Sequence, residues 1–269
     1  MGVRPRIERT EGRRLFGADP AAYELGRPGH APRVYEVLIE RCGLGPGTSV
    51  VEIGAGTGQA TRKLLALGAD QLVVVEPNPS LAAHLADAHG NRLKLVEAPL
   101  EEAELEPTAF DLAAAASSFH WVDERVGLAR LVAALRPGGW CAIWWTLFGD
   151  GGPPDPFIVA TSPLLDGLDT SPTKGEEGRP RHALDRERRF AALVAAGFVD
   201  VEHELAKWEA QWDSEGIRAL YGSFSPILRL DEARRERILD EIARIASDEF
   251  GGRVTRGLTT SLYIARKPW

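Results

Sequence analysis

Apolar positions along this chain come in blocks, and the period changes from block to block. After the turn-like Gly26-Arg27-Pro28-Gly29, Val34, Val37 and Leu38 recur at helical spacing from Ala31 onward, and the pattern stops at Gly43. Ser49-Val50-Val51-Glu52-Ile53-Gly54 is instead a short, mostly apolar run ending in glycine, which predicts a parallel strand buried on both faces. The spacing then predicts a helix over residues 59–67, a second strand over 72–76 and a second helix over 80–89 with Ser80 as its N-cap. A third strand at 93–96, a fourth at 110–116, a helix at 126–135 and a fifth strand at 141–146 continue the alternation. The turn Arg136-Pro137-Gly138-Gly139 separates the last two. Such alternation implies βαβ units. The fourth strand is placed by its position in the series, because alanine is a poor strand former.

Beyond Thr146 the pattern loosens. Residues 149–180 are rich in Gly, Pro, Asp and Ser, too polar to pack alone and long for a connection, which predicts a lid or an irregular loop. A helix at 187–196 stops at Gly197 and leads into residues 199–212; residues 217–250 read as helical, with Leu228, Leu239, Ile242 and Ile245 as an apolar stripe. The last strand-like run is 259–265, and no internal repeat is visible.

Composition narrows the classes. At 269 residues, with 44% hydrophobic and 26% charged residues, the chain suits one large domain or one domain with a cap. A net charge of −7 argues against phosphate backbones and anionic membranes as partners. The arginine runs at 4–14 and 179–189 are interleaved with acids and read as solvated faces. Cys42 and Cys141 suggest neither a disulfide framework nor a zinc site, and a reducing cytoplasm is expected. Charges at Arg4, Arg6, Glu8 and Arg9 interrupt any leader, and no run of about 18 apolar residues predicts a membrane span. His84, His89, His182 and His203 read as surface residues, and no metal-ligand constellation is visible.

The strongest chemical signal is Val51-Glu52-Ile53-Gly54-Ala55-Gly56-Thr57-Gly58, a glycine-rich turn after a strand and before a helix. Glycine there lets a ligand approach the backbone, and the helix N-terminus offers free N–H donors. The spacing is GxGxG; a dinucleotide fingerprint would need its third glycine where this chain has Gln59, which weakens the reading as a nicotinamide-dependent oxidoreductase. Glu76, at the end of the second strand, is placed to accept both hydroxyls of a ribose.

VVEIGAGTGQATRKL, VVVEPN, the acid in FDLAAAASSFHWVD and LRPGGW, in this order across residues 49–145, resemble the class I S-adenosylmethionine-dependent methyltransferases. The pairing of AYELGRPGH with SSFHWVD resembles the trans-aconitate methyltransferase-like enzymes that act on small molecules. The resemblance implies an α/β, Rossmann-like three-layer sandwich with a mostly parallel seven-stranded sheet and a helical or loop cap over its carboxyl edge. It implies an N-terminal segment (1–48) over the cofactor site, a cofactor-binding core (49–148), a lid insertion (149–183) and a C-terminal part (184–269) with a helical insertion at about 217–250. S-adenosyl-L-methionine is the implied cofactor and S-adenosyl-L-homocysteine its product.

By the same resemblance Glu52, Gly54, Ala55, Gly56 and Gly58 line the methionine end, Glu76 takes the ribose hydroxyls, and Pro77 or Asn78 flanks adenine. Where many members have an aspartate for the adenine amino group this chain has Ala98 and Pro99, so backbone groups near Leu100, or a shifted Glu101, would take over. Ser117 and Ser118 follow the fourth strand, where the sheet's carboxyl edge faces a ligand; Tyr23, Arg27 and His30 belong to the covering N-terminal segment, Tyr23 and Arg27 as cofactor contacts and His30 as an acceptor candidate. His120 is the candidate catalytic group, as a general base or an acceptor contact. Phe119, Trp121, Trp145 and Tyr221, with Trp144, Trp212 and Phe224, are the aromatic candidates for the acceptor pocket. The expected activity is methyl transfer to a small-molecule acceptor; the alternatives are an oxidoreductase on the same fold and a non-methylating protein that keeps the cofactor site.

Overall fold

In the computed structural model, which describes residues 8, 11, 20–149, 155–168 and 180–269, helices flank both faces of a seven-stranded sheet. At its centre β1 (Thr48–Ile53) lies parallel between β2 (Ala69–Val75) and β4 (Phe110–Ala116). β3 (Lys94–Val96) extends the sheet past β2, and β5 (Leu135–Phe148) extends it past β4, both still parallel. β7 (Arg253–Arg266) then runs antiparallel to β5, and β6 (Val199–Asp213) forms the edge, antiparallel to β7. Among the described residues no helix is long and apolar enough to cross a membrane.

The period of two along each strand sorts side chains into two cores. Val50, Leu112, Ala114, Ala142, Trp144 and Leu262 face one side, against α2 (Pro32–Glu40), α3 (Gln59–Ala66) and α4 (Pro79–His89). Val51, Ala113, Ala115, Ile143, Trp145 and Tyr263 face the other, against α5 (Glu124–Ala134) and α7 (Arg186–Ala195). The alanine-rich β4 is therefore a strand because both faces are covered, which outweighs alanine's weak preference.

A third core stands over the carboxyl edge. α1 (Pro20–Gly26), α6 (Pro156–Thr161) and three helices inserted between β6 and β7 surround it: α8 (Ser214–Gly222), α9 (Ser225–Leu228) and α10 (Glu232–Phe250). Phe157, Trp212, Leu220, Tyr221, Leu239 and Ile242 form its interior.

Several local expectations are corrected. Asn78, not Ser80, caps α4: its Oδ1 accepts from the N–H groups of Ser80 and Leu81, because Pro79 occupies the first helical position and moves the cap back. The Arg136–Gly139 turn lies inside β5, where Phe110 pairs with Leu135 and Leu112 with Trp140, so the extra residues form an irregularity rather than a boundary. The helical stretch breaks twice, at Ser223-Phe224 before Pro226 and at Leu230 before the cap Asp231. β7 starts at Arg253 instead of 259, because its polar first half pairs with β6 beyond the parallel core. The stretch at 149–180 is not uniformly irregular: α6 buries Phe157 against Tyr221 and Phe250. The run at 179–189 is not only a solvated face, since Arg189 is 3% exposed and paired with Glu124; the run at 4–14 falls outside the described residues apart from Glu8 and Glu11.

The joint between α1 and the cap is tight. A Cβ at Gly26 would lie 2.2 Å from the Leu220 backbone nitrogen, and the Gly26 carbonyl accepts the Trp212 indole N–H at 2.7 Å. Gly26→Ala should therefore cost about 1–3 kcal/mol by forcing α1 off α8. Urea denaturation checks this, and an unshifted midpoint would show that the joint yields freely.

Candidate active site

β1 delivers the chain into the glycine turn at the sheet's carboxyl edge. Gly54 (φ +65°) is required twice over, because a Cβ there would also lie 2.6 Å from the Ser118 Cβ, where the loop after β4 crosses. Gly56 (φ +61°) has no atom of the described residues within 4 Å of where its Cβ would stand, so it opens on the cavity below. Gly58 serves packing instead. Its Cβ would meet Leu85 at 2.9 Å and the His89 Nε2 at 3.3 Å, which corrects its placement among the ligand-lining glycines.

Two buried acids stand behind this turn. The Glu76 carboxylate, 4% exposed, accepts the Gly56 N–H on Oε2 and the Asn78 N–H on Oε1, each at 2.9 Å. Glu52 is fully buried; its Oε2 accepts the Thr61 hydroxyl at 2.7 Å, while Oε1 has no partner among the described residues. Burial first, and then Glu76, push the Glu52 pKa up to about 7 against the pull of Thr61. An orphaned buried oxygen beside a second acid fits a ligand that carries positive charge, and the open face of Gly56 gives it room.

Glu76 and the glycine turn border a cavity of about 700 Å³. Gly54, Ala55, Gly56, Glu76, Pro77 and Leu100 line one end. The loop after β4 contributes Ser117, Ser118, His120 and Trp121; Ser117 holds φ +52°, and the Ser118 hydroxyl donates to the Ile53 carbonyl. Tyr23, Arg27 and His30 close a side, and Trp145, Tyr221 and Phe224 reach it from the sheet and cap. Glu52, Asn78, Phe119, Trp144 and Trp212 do not line it. Phe119 is buried against Gly127 and Trp144 beneath α2, and Trp212 belongs to the cap core; the Asn78 side chain is engaged in capping. Glu101 turns away as well, accepting the Asp123 N–H at 2.8 Å.

Sequence reasoning missed the cations of the far wall. Arg181 lines the cavity, as does Arg256, 3% exposed, which pairs with Asp155 at 3.1 Å and stacks over Phe148 at 4.8 Å. An arginine at an inward position of the alternating run Val254-Thr255-Arg256 was the available signal. The histidines are also corrected. His89 is buried behind the turn, His203 stacks on Tyr263 at 4.2 Å, and His182 accepts from Arg189 at 2.8 Å.

Charge is divided along the cavity. Arg27 donates to the Ser223 hydroxyl at 2.7 Å and carbonyl at 3.1 Å and lies over Phe224 at 5.0 Å; burial lowers its pKa. Burial also pushes His30 down to about 4, and burial with His182 and Arg27 pushes His120 down to about 3. The His120 Nδ1 accepts the Trp145 indole N–H at 3.2 Å.

The methyltransferase domain family matches residues 51–143, from within β1 into β5. An uncharacterized methyltransferase of Schizosaccharomyces pombe is 25% identical over 86% of this chain and 88% of its own length. Trans-aconitate 2-methyltransferase of Mycobacterium tuberculosis is 29% identical over 46% of this chain, and the match spans about half of that protein, 47%. Among solved structures, that of the 4+2 cyclase SpnF shares the fold at a TM-score of 0.61 and 18% identity over 99% of both chains.

The chain is an S-adenosylmethionine-dependent methyltransferase. In the methyltransferase the ordinary titration of Glu52, near 4.5 unfolded, is displaced to about 7, so between these values the folded state binds more protons than the unfolded one. Stability of the ligand-free enzyme must then fall as pH rises through that window. Glu52→Gln should remove the penalty and exceed the wild type by up to about 3 kcal/mol at pH 8, with little difference near pH 4.5. Urea denaturation at the two pH values reads this directly; a pH-independent difference would place Glu52 at an ordinary pKa.

Proposed function

We propose that the methyltransferase transfers the methyl group of S-adenosylmethionine to a small-molecule acceptor held under the cap. The observation that carries this reading is the continuity of one cavity, about 700 Å³, from the acid-backed glycine turn to the aromatic and cationic wall of the cap. That volume is within the usual range for small ligands and must house donor and acceptor together. The net charge of −7 supports an acceptor other than nucleic acid, and two buried free thiols, Cys42 and Cys141, support a cytoplasmic setting.

In this reading Gly54, Ala55 and Gly56 take the methionine end, with Glu52 behind them and Arg27 and Tyr23 closing over it. Glu76 takes the ribose hydroxyls, its two oxygens held in place by the Gly56 and Asn78 N–H groups. Pro77 and Leu100 sandwich the adenine; Asn78 acts only by capping α4. Ser117 and Ser118 shape the floor, Gly58 and Phe119 pack the supports, and His30, His120, Trp121, Trp145 and Tyr221 surround the acceptor. Residues 155–168, 180–183 and 217–250 form the described part of the lid that selects it, residues 150–154 and 169–179 of the expected lid lying outside the described residues, and the pairing of AYELGRPGH with SSFHWVD supports a place beside the trans-aconitate methyltransferases.

When bound, the donor supplies an already activated methyl carbon. The chain's task is alignment, and orientation of this kind supplies about 7–11 kcal/mol of a barrier. The rigid turn fixed by Glu76 holds one reactant, and the cap holds the other. Exclusion of water follows from α1 closing against α8. The third glycine of a dinucleotide site is absent, with Gln59 in its place, so an oxidoreductase is not favoured.

Glu76→Ala should weaken S-adenosylhomocysteine binding by about 1.5–3 kcal/mol for each charged hydrogen bond lost, measured by calorimetry on protein whose circular dichroism is unchanged. Unaltered affinity would remove the ribose assignment. Incorporation of radiolabelled methyl from S-adenosylmethionine into fractionated metabolite extracts, followed by the product's mass, tests the transfer itself. Label appearing only in nucleic acid or protein would overturn the small-molecule reading.

A further inference from the structure

Behind the cavity wall a line of side chains runs from α5 and α7 to His120. Arg189 pairs with Glu124 at 2.5 Å and donates to the His182 Nε2 at 2.8 Å. The His182 ring meets Trp145 edge to face, centroids 5.2 Å apart at 78°. Trp145, 3% exposed and braced from its other side by Tyr263, points its indole N–H at the His120 Nδ1 at 3.2 Å. An indole nitrogen can only donate, so Nδ1 must present a lone pair, and the neutral imidazole then carries its proton on Nε2. That nitrogen makes no hydrogen bond to the described residues, and His120 lines the cavity.

We infer that Trp145 is a positioning residue: it holds His120 as a neutral Nε2–H donor facing the cavity, so that His120 offers the acceptor a hydrogen bond instead of taking its proton. The functional half of this inference rests on the methyl transfer proposed above; the tautomer does not. The surroundings act in the same direction. Burial and Arg27, which follows α1, both oppose a positive charge on the ring, Arg189 stands behind His182, and the one carboxylate in the line, Glu124, is paired with Arg189. Trp145 is thereby moved from the acceptor-contact residues to the framework that orients one.

Nitrogen-15 NMR of histidine-labelled enzyme, saturated with S-adenosylhomocysteine and compared with His120→Gln for assignment, reads the protonation of each ring nitrogen. The wild type should show the Nε2–H form alone from about pH 5.5 to 8, the interval in which an unperturbed imidazole would titrate. Trp145→Phe should lose this single form, showing exchange between tautomers and a titration that moves up into the window. An Nδ1–H or charged wild-type ring in that interval overturns the inference, as does a folded Trp145→Phe variant with the wild-type pattern. The wild-type spectrum decides the tautomer even if the variant does not fold. Calorimetry on the same samples keeps the readings apart, since loss of S-adenosylhomocysteine binding by the wild type would count against the methyl-transfer site and leave the tautomer as measured.

Discussion

The carboxylate of Glu76 ties together two turns that would otherwise be independent. One oxygen accepts from Gly56 in the turn after β1, the other from Asn78 in the cap of α4, so the mouths of two successive βα units are held in one arrangement. Hydrogen bonds to a charged group are worth about 1.5–3 kcal/mol each, enough to fix a loop that has no packing of its own. Gly56 can then keep its left-handed backbone over open space, and the loop after β4 can pass close enough to Gly54 for the Ser118 hydroxyl to reach the Ile53 carbonyl.

The opposite wall is built by a different device. β6 and β7 pair along almost their whole length and run past the parallel core, carrying Arg256 and Trp212 out to the level of the cap. The helices inserted between them fold back over the sheet's carboxyl edge, and Gly26 at the end of α1 packs on Leu220 of α8 and accepts the indole N–H of Trp212 in β6. The cavity thus lies between a rigid, conformationally restricted turn and a roof that rests on aromatic packing, with Phe157, Tyr221 and Phe250 edge to face.

The two ends also differ in charge. At one end burial first, and the neighbouring Glu76 second, push the Glu52 carboxyl above its ordinary range. Toward the cap the polarity reverses, with Arg27, Arg181 and Arg256 around neutral imidazoles whose burial disfavours protonation. Opposed fields of this kind suit the proposed transfer, a displacement that depends chiefly on alignment.

The alternation of apolar blocks determined the parallel half of the sheet and its flanking helices, because burial on two faces imposes a short-range period on any sequence that forms it. The same holds for the glycine turn and for Glu76, whose roles follow from backbone sterics and from their place at strand ends. Other features depend on which side of a loop faces inward. Phe119 and His120 are neighbours in sequence, yet one packs into the core beside Gly127 and the other lines the cavity. Cross-chain partnerships were equally invisible: Arg256 finds Asp155 across 101 positions, and Trp145 finds His120 only after β5 is laid beside β4. Arg189, which sits in a run of charges that suggests solvent, is buried because the sheet and α5 bring Glu124 over it. The sequence by itself settled what local sterics and periodic burial can settle; the pairing of charges, the tautomer of His120 and the roof of the cavity were decided by the tertiary structure, since each depends on groups that meet only when the sheet is complete.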